Sequence, residues 1–346
     1  MTLPLSQLLP HAFGLALGAA GGLTFWTLGL PLPWMLGALT FTLIAAVCGA
    51  PVAGPNRIRP AVVAVIGVML GARFAPEVLG HVTLWAGSLA LLVAYLVMVG
   101  LVVVPFYHFA GRLDWPTAYF AGMPGGLTEM IEIGEAKGAK PEPIILAHSL
   151  RIVITIALIA LWFRVVQGHS VGSGAVNLSL AMEWHEAALL LSAALLGCLM
   201  GHALRFPAPT FLGPLALSAG LHLTGISEAA PPGLLVNAAQ IVLGTVLGCR
   251  FRGMAMGALG RAAVLSIGST VLSLALALVF ALALSRWFGI GLEQGILALA
   301  PGGLTEMGLI ALAIHADVAF VALNHVVRIL VVIVAAPLVF TLLRRR

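Results

Sequence analysis

Two glutamates, two histidines and two arginines stand in otherwise apolar sequence, at spacings suited to ion binding and proton exchange. Glu129 and Glu306 each follow a Pro-Gly-Gly-Leu-Thr run. A carboxylate at bilayer depth is expensive, so a functional role is its default reading, and burial would let it trade protons near neutral pH. The plainer reading is a charge that only complements the dipole of the helix it begins. His148 and Arg151, and again His325 and Arg328, are three positions apart, hence on one face of a helix. Counted from Pro143, the histidine lies about 8 Å and the arginine about 12 Å along that helix. A guanidinium keeps its proton there and needs an anionic partner. Two partners are open: the repeated glutamate, as a structural ion pair, or a carboxylate or phosphonate of a substrate. The two are compatible if the glutamate releases the arginine when protonated.

Gly125, Gly126, Gly302 and Gly303 can offer backbone N–H groups to an anion, or can simply form a hairpin turn. Thr128 and Thr305 suit helix capping better than substrate contact. The expected substrate- and ion-binding set is these four glycines and two threonines with Glu129, Glu306, His148, His325, Arg151 and Arg328. Asn324, whose counterpart is Ala147, and His315 with Asp317, just past the second hairpin, are weaker candidates. The histidines show no HxH, HExxH or Cys/His spacing, and there is no Walker or GxSxG motif. No catalytic residue, metal ligand or cofactor is therefore expected. Cys48, Cys198 and Cys249 lie in or beside apolar runs and read as packing residues.

The elements that must position these groups are legible as a duplication. Pro124 to Met130 returns letter for letter as Pro301 to Met307, an offset of 177. At that offset Gly71, Arg73 and Phe74 match Gly248, Arg250 and Phe251, and both His-x-x-Arg pairs match. Earlier, Pro31, Pro33 and Gly37 match Pro207, Pro209 and Gly213 at 176. Matches in constant order at nearly constant offset are a repeat. The chain is 346 residues, 61% hydrophobic and 8% charged, with a mean hydropathy of +1.11. That is too little charge to coat a soluble body, and the 17 bases form no nucleic-acid-binding arm. The chain reads as an all-α polytopic membrane protein.

Each half offers five apolar spans, near 12–30, 33–50, 60–76, 82–109 and 143–166, then 186–204, 208–225, 233–250, 262–288 and 318–343. Between the fourth and fifth lie 115–137 and 291–314, where Pro-Gly-Gly must break a helix. If these stretches are re-entrant, the halves are inverted. Arg57, Arg59, Arg112, Lys137, Lys140, Arg205, Arg250, Arg252, Arg261 and Arg344 to Arg346 then face the cytoplasm, and only Arg73, Arg164 and Arg286 face outward. If they cross fully, the bases divide almost evenly. The positive-inside rule favours the first scheme: two inverted repeats of five transmembrane helices, each with a Pro-Gly-Gly re-entrant or broken helix. Repeat 1 is expected over 12–166, an external linker over 167–185 and repeat 2 over 186–343, with both termini cytoplasmic in a bacterial inner membrane. The first arm after the motif (Ile131 to Lys137) carries charge and should face water or line a vestibule; the second (Gly308 to Ile314) is apolar.

The doubled Pro-Gly-Gly-Leu-Thr-Glu-Met with a following His-x-x-Arg resembles the AbrB-type duplicated membrane family over essentially the whole chain. Members carry the labels AbrB family regulator and ammonia monooxygenase. The resemblance implies one of those activities, yet the sequence offers neither clustered copper ligands nor a helix-turn-helix. The arrangement is also similar in architecture to bacterial citrate and glutamate carriers. Broken helices inside inverted repeats line binding cavities in secondary transporters. The expectation is therefore a secondary transporter of a small anionic organic solute, coupled to H⁺ or Na⁺. A membrane-embedded regulator acting through a partner is the alternative, and a membrane monooxygenase a weaker one. Expected partners are the bilayer and the solute, with no direct nucleic acid; a homodimer is left open.

Overall fold

The computed structural model describes residues 5–74, 82–168, 182–206, 208–254 and 256–344, and every regular element among them is helical. In the first half these are α1 (Leu5–Thr27), a π-turn (Pro33–Gly37) leading into α2 (Ala38–Val47), α3 (Arg59–Gly71), α4 (Val82–Phe109), α5 (Trp115–Gly122), α6 (Leu127–Ala136) and α7 (Pro141–Val165). The second half repeats the order: α8 (Trp184–Ala203), α9 (Pro209–Leu223), α10 (Gly233–Cys249), α11 (Met256–Phe288), α12 (Leu292–Leu299), α13 (Leu304–Ala313) and α14 (Val318–Arg344). Most of the expected linker lies outside the described residues, and α8 begins inside its range.

Among the described residues, five helices are long and apolar enough to cross a membrane: Trp85–Phe109, Pro141–Val165, Trp184–Ala203, Leu259–Phe288 and Val318–Leu343. The spans expected at 33–50, 60–76 and 233–250 are shorter apolar helices, and that at 208–225 is α9, of 15 residues. The 13 residues of α3 rise about 20 Å, against roughly 30 Å of hydrocarbon. Proline and glycine set these limits. Left-handed Leu32 and Ala208 stand just before Pro33 and Pro209, and Gly49 and Gly225 turn the chain away at the far ends with positive φ.

The duplication reaches the backbone. Besides the two pairs just named, positive φ recurs at matched positions as Gly29 with Arg205, Arg112 with Gly289, and Gly138 with His315. Three non-glycine residues thus hold a conformation that their counterparts reach as glycine.

The chain divides into two compact units that cut across the repeats, each taking matching elements from both halves. One comprises Met1–Leu79, Ile159–Met254 and Gly308–Ala319. Here α3 packs on α9 and α10 on α2, and the contacts are reciprocal. Gly67 and Gly71 face the carbonyls of Phe211 and Leu215, while Gly244 and Gly248 face those of Met35 and Leu39. A Cβ at any of the four would run into backbone, so small residues permit the close approach. Gly21 against Gly37, and Gly197 against Gly213, repeat the same device within each half.

The other unit comprises Gly80–Leu158, Ala255–Met307 and Phe320–Arg346. In it the matched helices α4 and α11 pack antiparallel: Gly87 meets Phe288, Tyr95 meets Phe280, Phe106 meets Gly268 and Gly111 meets Leu265. The two Pro-Gly-Gly hairpins have equal arms. In each, eight helical residues (α5 or α12) are followed by four non-helical ones and then ten helical (α6 or α13). The first hairpin returns to where it starts. The Lys140 amide, just beyond α6, donates to the Thr117 hydroxyl at 2.9 Å, and Lys140 Nζ lies 3.8 Å from Asp114.

Candidate functional site

Each hairpin is built so that its broken ends must be satisfied by something else. Asp114 starts α5 by accepting the Thr117 amide at 2.9 Å, and Pro124 prevents the helix from running past Met123. The last carbonyls of α5 then have no intrahelical partner, and they form the negative end of the helix dipole. The His-x-x-Arg pair of α7 supplies donors there. His148 Nε2 donates to the Phe120 carbonyl at 2.9 Å, and Arg151 Nη1 donates to that of Met123 at 3.3 Å. Arg151 Nη2 donates to His148 Nδ1 at 3.1 Å, so Nδ1 accepts and Nε2 carries the proton.

The second half repeats this with tighter geometry. His325 Nε2 donates to the Leu297 carbonyl at 2.9 Å. Arg328 splits its fork between the carbonyls of Ala300 and, at 2.9 Å, Gly302. His148, Arg151, His325 and Arg328 are all buried.

The glutamates cap the other side of each break. Glu129 and Glu306 are the third residues of α6 and α13, and each folds its carboxylate back over the preceding glycine, Gly126 or Gly303. A Cβ on that glycine would overlap the carboxylate. The other glycine of each pair is covered by a methionine, Gly125 by Met130 and Gly302 by Met307. Thr305 Oγ1 donates to Glu306 at 2.9 Å, whereas Thr128 is exposed. Glu306 is 8% exposed and Glu129 half-buried. The two second arms differ in burial: Glu132 and Glu135 of α6 are exposed, whereas α13 from Met307 to Ala311 is buried.

Among the described residues no ion pair joins either arginine to Glu129 or Glu306. The arginines turn to backbone carbonyls instead, because the helix break frees those oxygens beside them. Carbonyls solvate a guanidinium without cancelling its charge. Arg151 Nε and Arg328 Nε are buried with no hydrogen-bond partner, as are His325 Nδ1 and Asn324 Oδ1. Asn324 spends its Nδ2 on the Phe320 carbonyl at 3.0 Å. His315 is an exposed residue in the left-handed turn after α13.

A residue outside the expected set links the two halves. Tyr95, fully buried on α4, lies within electrostatic reach of both Arg151 and Arg328, which also feel each other. Tyr95 is thus a shared electrostatic neighbour of the two guanidinium groups. Two tyrosines of α4 reach α11: Tyr95 Oη donates to the Ser273 carbonyl at 3.4 Å, and Tyr107 Oη bonds Ser269 Oγ at 2.9 Å. Ser266, Ser269, Thr270 and Ser273 are all buried on one face of α11. Their i, i+3, i+4, i+7 spacing in an apolar span was a readable signal.

These features define a helical membrane protein with a duplicated pair of broken hairpins, each arginine-capped. The family described as "Transition state regulatory protein AbrB" matches residues 34–344. The chain belongs to the AbrB family. Two relatives are similar over nearly their full lengths. One is "Uncharacterized protein YhjN" of Bacillus subtilis (strain 168), 27% identical over 97% of this chain and 94% of its own. The other is "Putative regulator AbrB" of Escherichia coli (strain K12), 24% identical over 90% of each.

Proposed function

We propose that this protein is a secondary transporter of a small organic anion, coupled to H⁺ or Na⁺. It is built from two inverted repeats in the bacterial inner membrane, with both termini cytoplasmic. The observation that carries the proposal is that Arg151 and Arg328 are both buried, without carboxylate partners and each with an unpaired Nε. A buried charge left without a counter-ion is costly. An anion received between the two would supply it. The antiparallel packing of the matched helices α4 and α11 supports the inverted arrangement, and the closed foot of the first hairpin supports re-entry over crossing.

In this reading Arg151 and Arg328 hold the solute's charge. Glu306 and Glu129 sit as internal anions over Gly303 and Gly126, at helix N-termini that attract negative charge. Protonation of a glutamate would remove its charge from the helix start, leaving room there for the solute carboxylate, and deliver a co-transported proton. His148 and His325 keep the broken helices aligned, and no covalent chemistry is required. Proteoliposome flux tests this. Arg328→Ala and Glu129→Gln should abolish or sharply slow uptake of an accepted anion, and unchanged flux in both would refute the assignment.

The names of the family and of the Escherichia coli relative favour a second reading, a membrane-embedded regulator acting through a partner. It expects solute binding at the same arginines without net flux, and a transcriptional effect on deletion.

A further inference from the structure

A cavity of about 880 Å³ lies between the C-terminal end of α4, the N-terminal end of α7 and the start of α11. Arg112 and Arg261, both exposed, stand at its mouth, with Glu142 the one acid in its lining. Its inner wall holds Tyr107 and Ser266. Ser266 is fully buried, and its hydroxyl has no hydrogen-bond partner.

That inner wall is the first rung of a hydroxyl ladder. Ser269 Oγ donates to the Ser266 carbonyl at 3.1 Å and Ser273 Oγ to that of Ser269 at 2.8 Å. Tyr107 bonds Ser269, and Tyr95 bonds Ser273. Thr270 adds a second buried hydroxyl without a partner. From Ser266 to Ser273 the rise is about 10 Å. The ladder ends at Tyr95, in reach of both guanidinium groups, and Tyr107 is in reach of Arg151. In an apolar helix, buried hydroxyls that find no protein partner are expensive unless water or a passing polar group meets them.

We propose that this cavity is the aqueous vestibule of the arginine centre, admitting a small anion between Arg112 and Arg261 and passing it along the Ser266–Ser273 face of α11. This rests on the transporter reading for its destination, but not for its test. Two arginines against one glutamate leave the mouth net positive, which concentrates anions and repels cations. The unpartnered hydroxyls of Ser266 and Thr270 give an entering carboxylate donors to exchange for lost water.

The test is charge-selective thiol labelling. Cys48, Cys198 and Cys249 are replaced by alanine and Ser266→Cys is introduced in the full-length protein, in sealed vesicles of both orientations. A sulfonate-bearing methanethiosulfonate and its trimethylammonium analogue serve as probes. The sulfonate reagent should modify Cys at 266 from one side only. Arg112→Ala with Arg261→Ala should slow it about tenfold, without slowing the cationic reagent. A thiol at 266 that resists both reagents until the protein is denatured would overturn the proposal. So would labelling indifferent to the two arginines, or displacement of the sulfonate effect by anionic lipid alone. If Ser266→Cys does not assemble, Ala262→Cys, on the same wall nearer the mouth, takes its place. Selective labelling without flux would sink the transporter reading and leave the vestibule; flux with an inert thiol would do the reverse.

Discussion

Arg328 donates to the carbonyl of Gly302 at 2.9 Å, although Glu306 stands only four residues further along the same turn. The cation serves the C-terminal side of the break and the carboxylate serves the N-terminal side. Each half-helix end thus receives the charge its dipole favours. The pattern recurs at Arg151 and Glu129: the half-helix ends are served, but among the described residues neither guanidinium meets a carboxylate. Loss of the Arg328 fork should therefore cost stability as well as binding. Arg328→Ala is expected to destabilise the purified protein by about 3 kcal/mol, the range for hydrogen bonds to a charged group. Arg151→Ala should cost less, because its one carbonyl contact is 3.3 Å. Unfolding titrations in detergent measure both, and equal or reversed costs would contradict the geometry.

The glutamate lid over the glycine predicts a coupling. Gly303→Ala places a Cβ where the Glu306 carboxylate lies. In a double-mutant cycle, Gly303→Ala should be clearly less damaging on a Glu306→Ala background, with an interaction of about 1 kcal/mol. Strict additivity would mean that the carboxylate does not rest there. The same cycle at Gly126 and Glu129 should give a smaller value, since Glu129 is more open to solvent.

The repeat itself was plain in the sequence, and so were both helix breaks and the bounds of α4 and α14 to within a residue. The partner of each arginine was not. Sequence pairs charge with charge, whereas every residue carries a carbonyl and only the fold reveals which carbonyls a helix break releases. Tyr95 was missed because one tyrosine in an apolar run carries no pattern. The exchange of Gly67 and Gly71 against α9 for Gly244 and Gly248 against α2 also left no local trace. It joins segments roughly 150 to 200 residues apart, and small residues alone do not name their partners.

That exchange makes its own prediction. Gly67→Ala and Gly244→Ala should each cost about 1–3 kcal/mol, the range for overpacking a close contact. Gly220 and Gly260, on α9 and α11, have open space around them and should tolerate alanine. Yield and unfolding midpoint in detergent compare the four.

Matched backbone angles predict a stabilising change. His315 holds φ 58° where its counterpart Gly138 holds φ 85°. His315→Gly should relieve a left-handed strain of about 1 kcal/mol and raise the unfolding midpoint. A loss of stability would show that the imidazole, not the backbone, matters at that turn.

Asp114 gives the pH dependence of the hairpin foot, outside the membrane-spanning helices. Burial works to raise its pKa, but hydrogen bonds from Thr117 and the charge of Lys140 outweigh this and hold the carboxyl below its ordinary value. A depressed carboxyl contributes stability above its unfolded pKa, near 4, and loses it as pH falls through the folded value. Asp114→Ala should cost about 1 kcal/mol at neutral pH, as for a lost N-cap. The gap from the native protein should close in acid below about pH 4; a gap that widens there would contradict the assignment.

The central claim is that Arg151 and Arg328 together await an anion, and ligand stabilisation of the purified protein measures this most directly. Carboxylates, amino acids and phosphonates are screened by thermal unfolding at two pH values, with Arg328→Lys and Arg151→Lys beside the native chain. The account predicts at least one anion that stabilises the native protein by about 2–3 kcal/mol at a hundred times its dissociation constant, with that gain lost in both lysine variants. Stabilisation by no anion, or by one whose effect survives both substitutions, would contradict it.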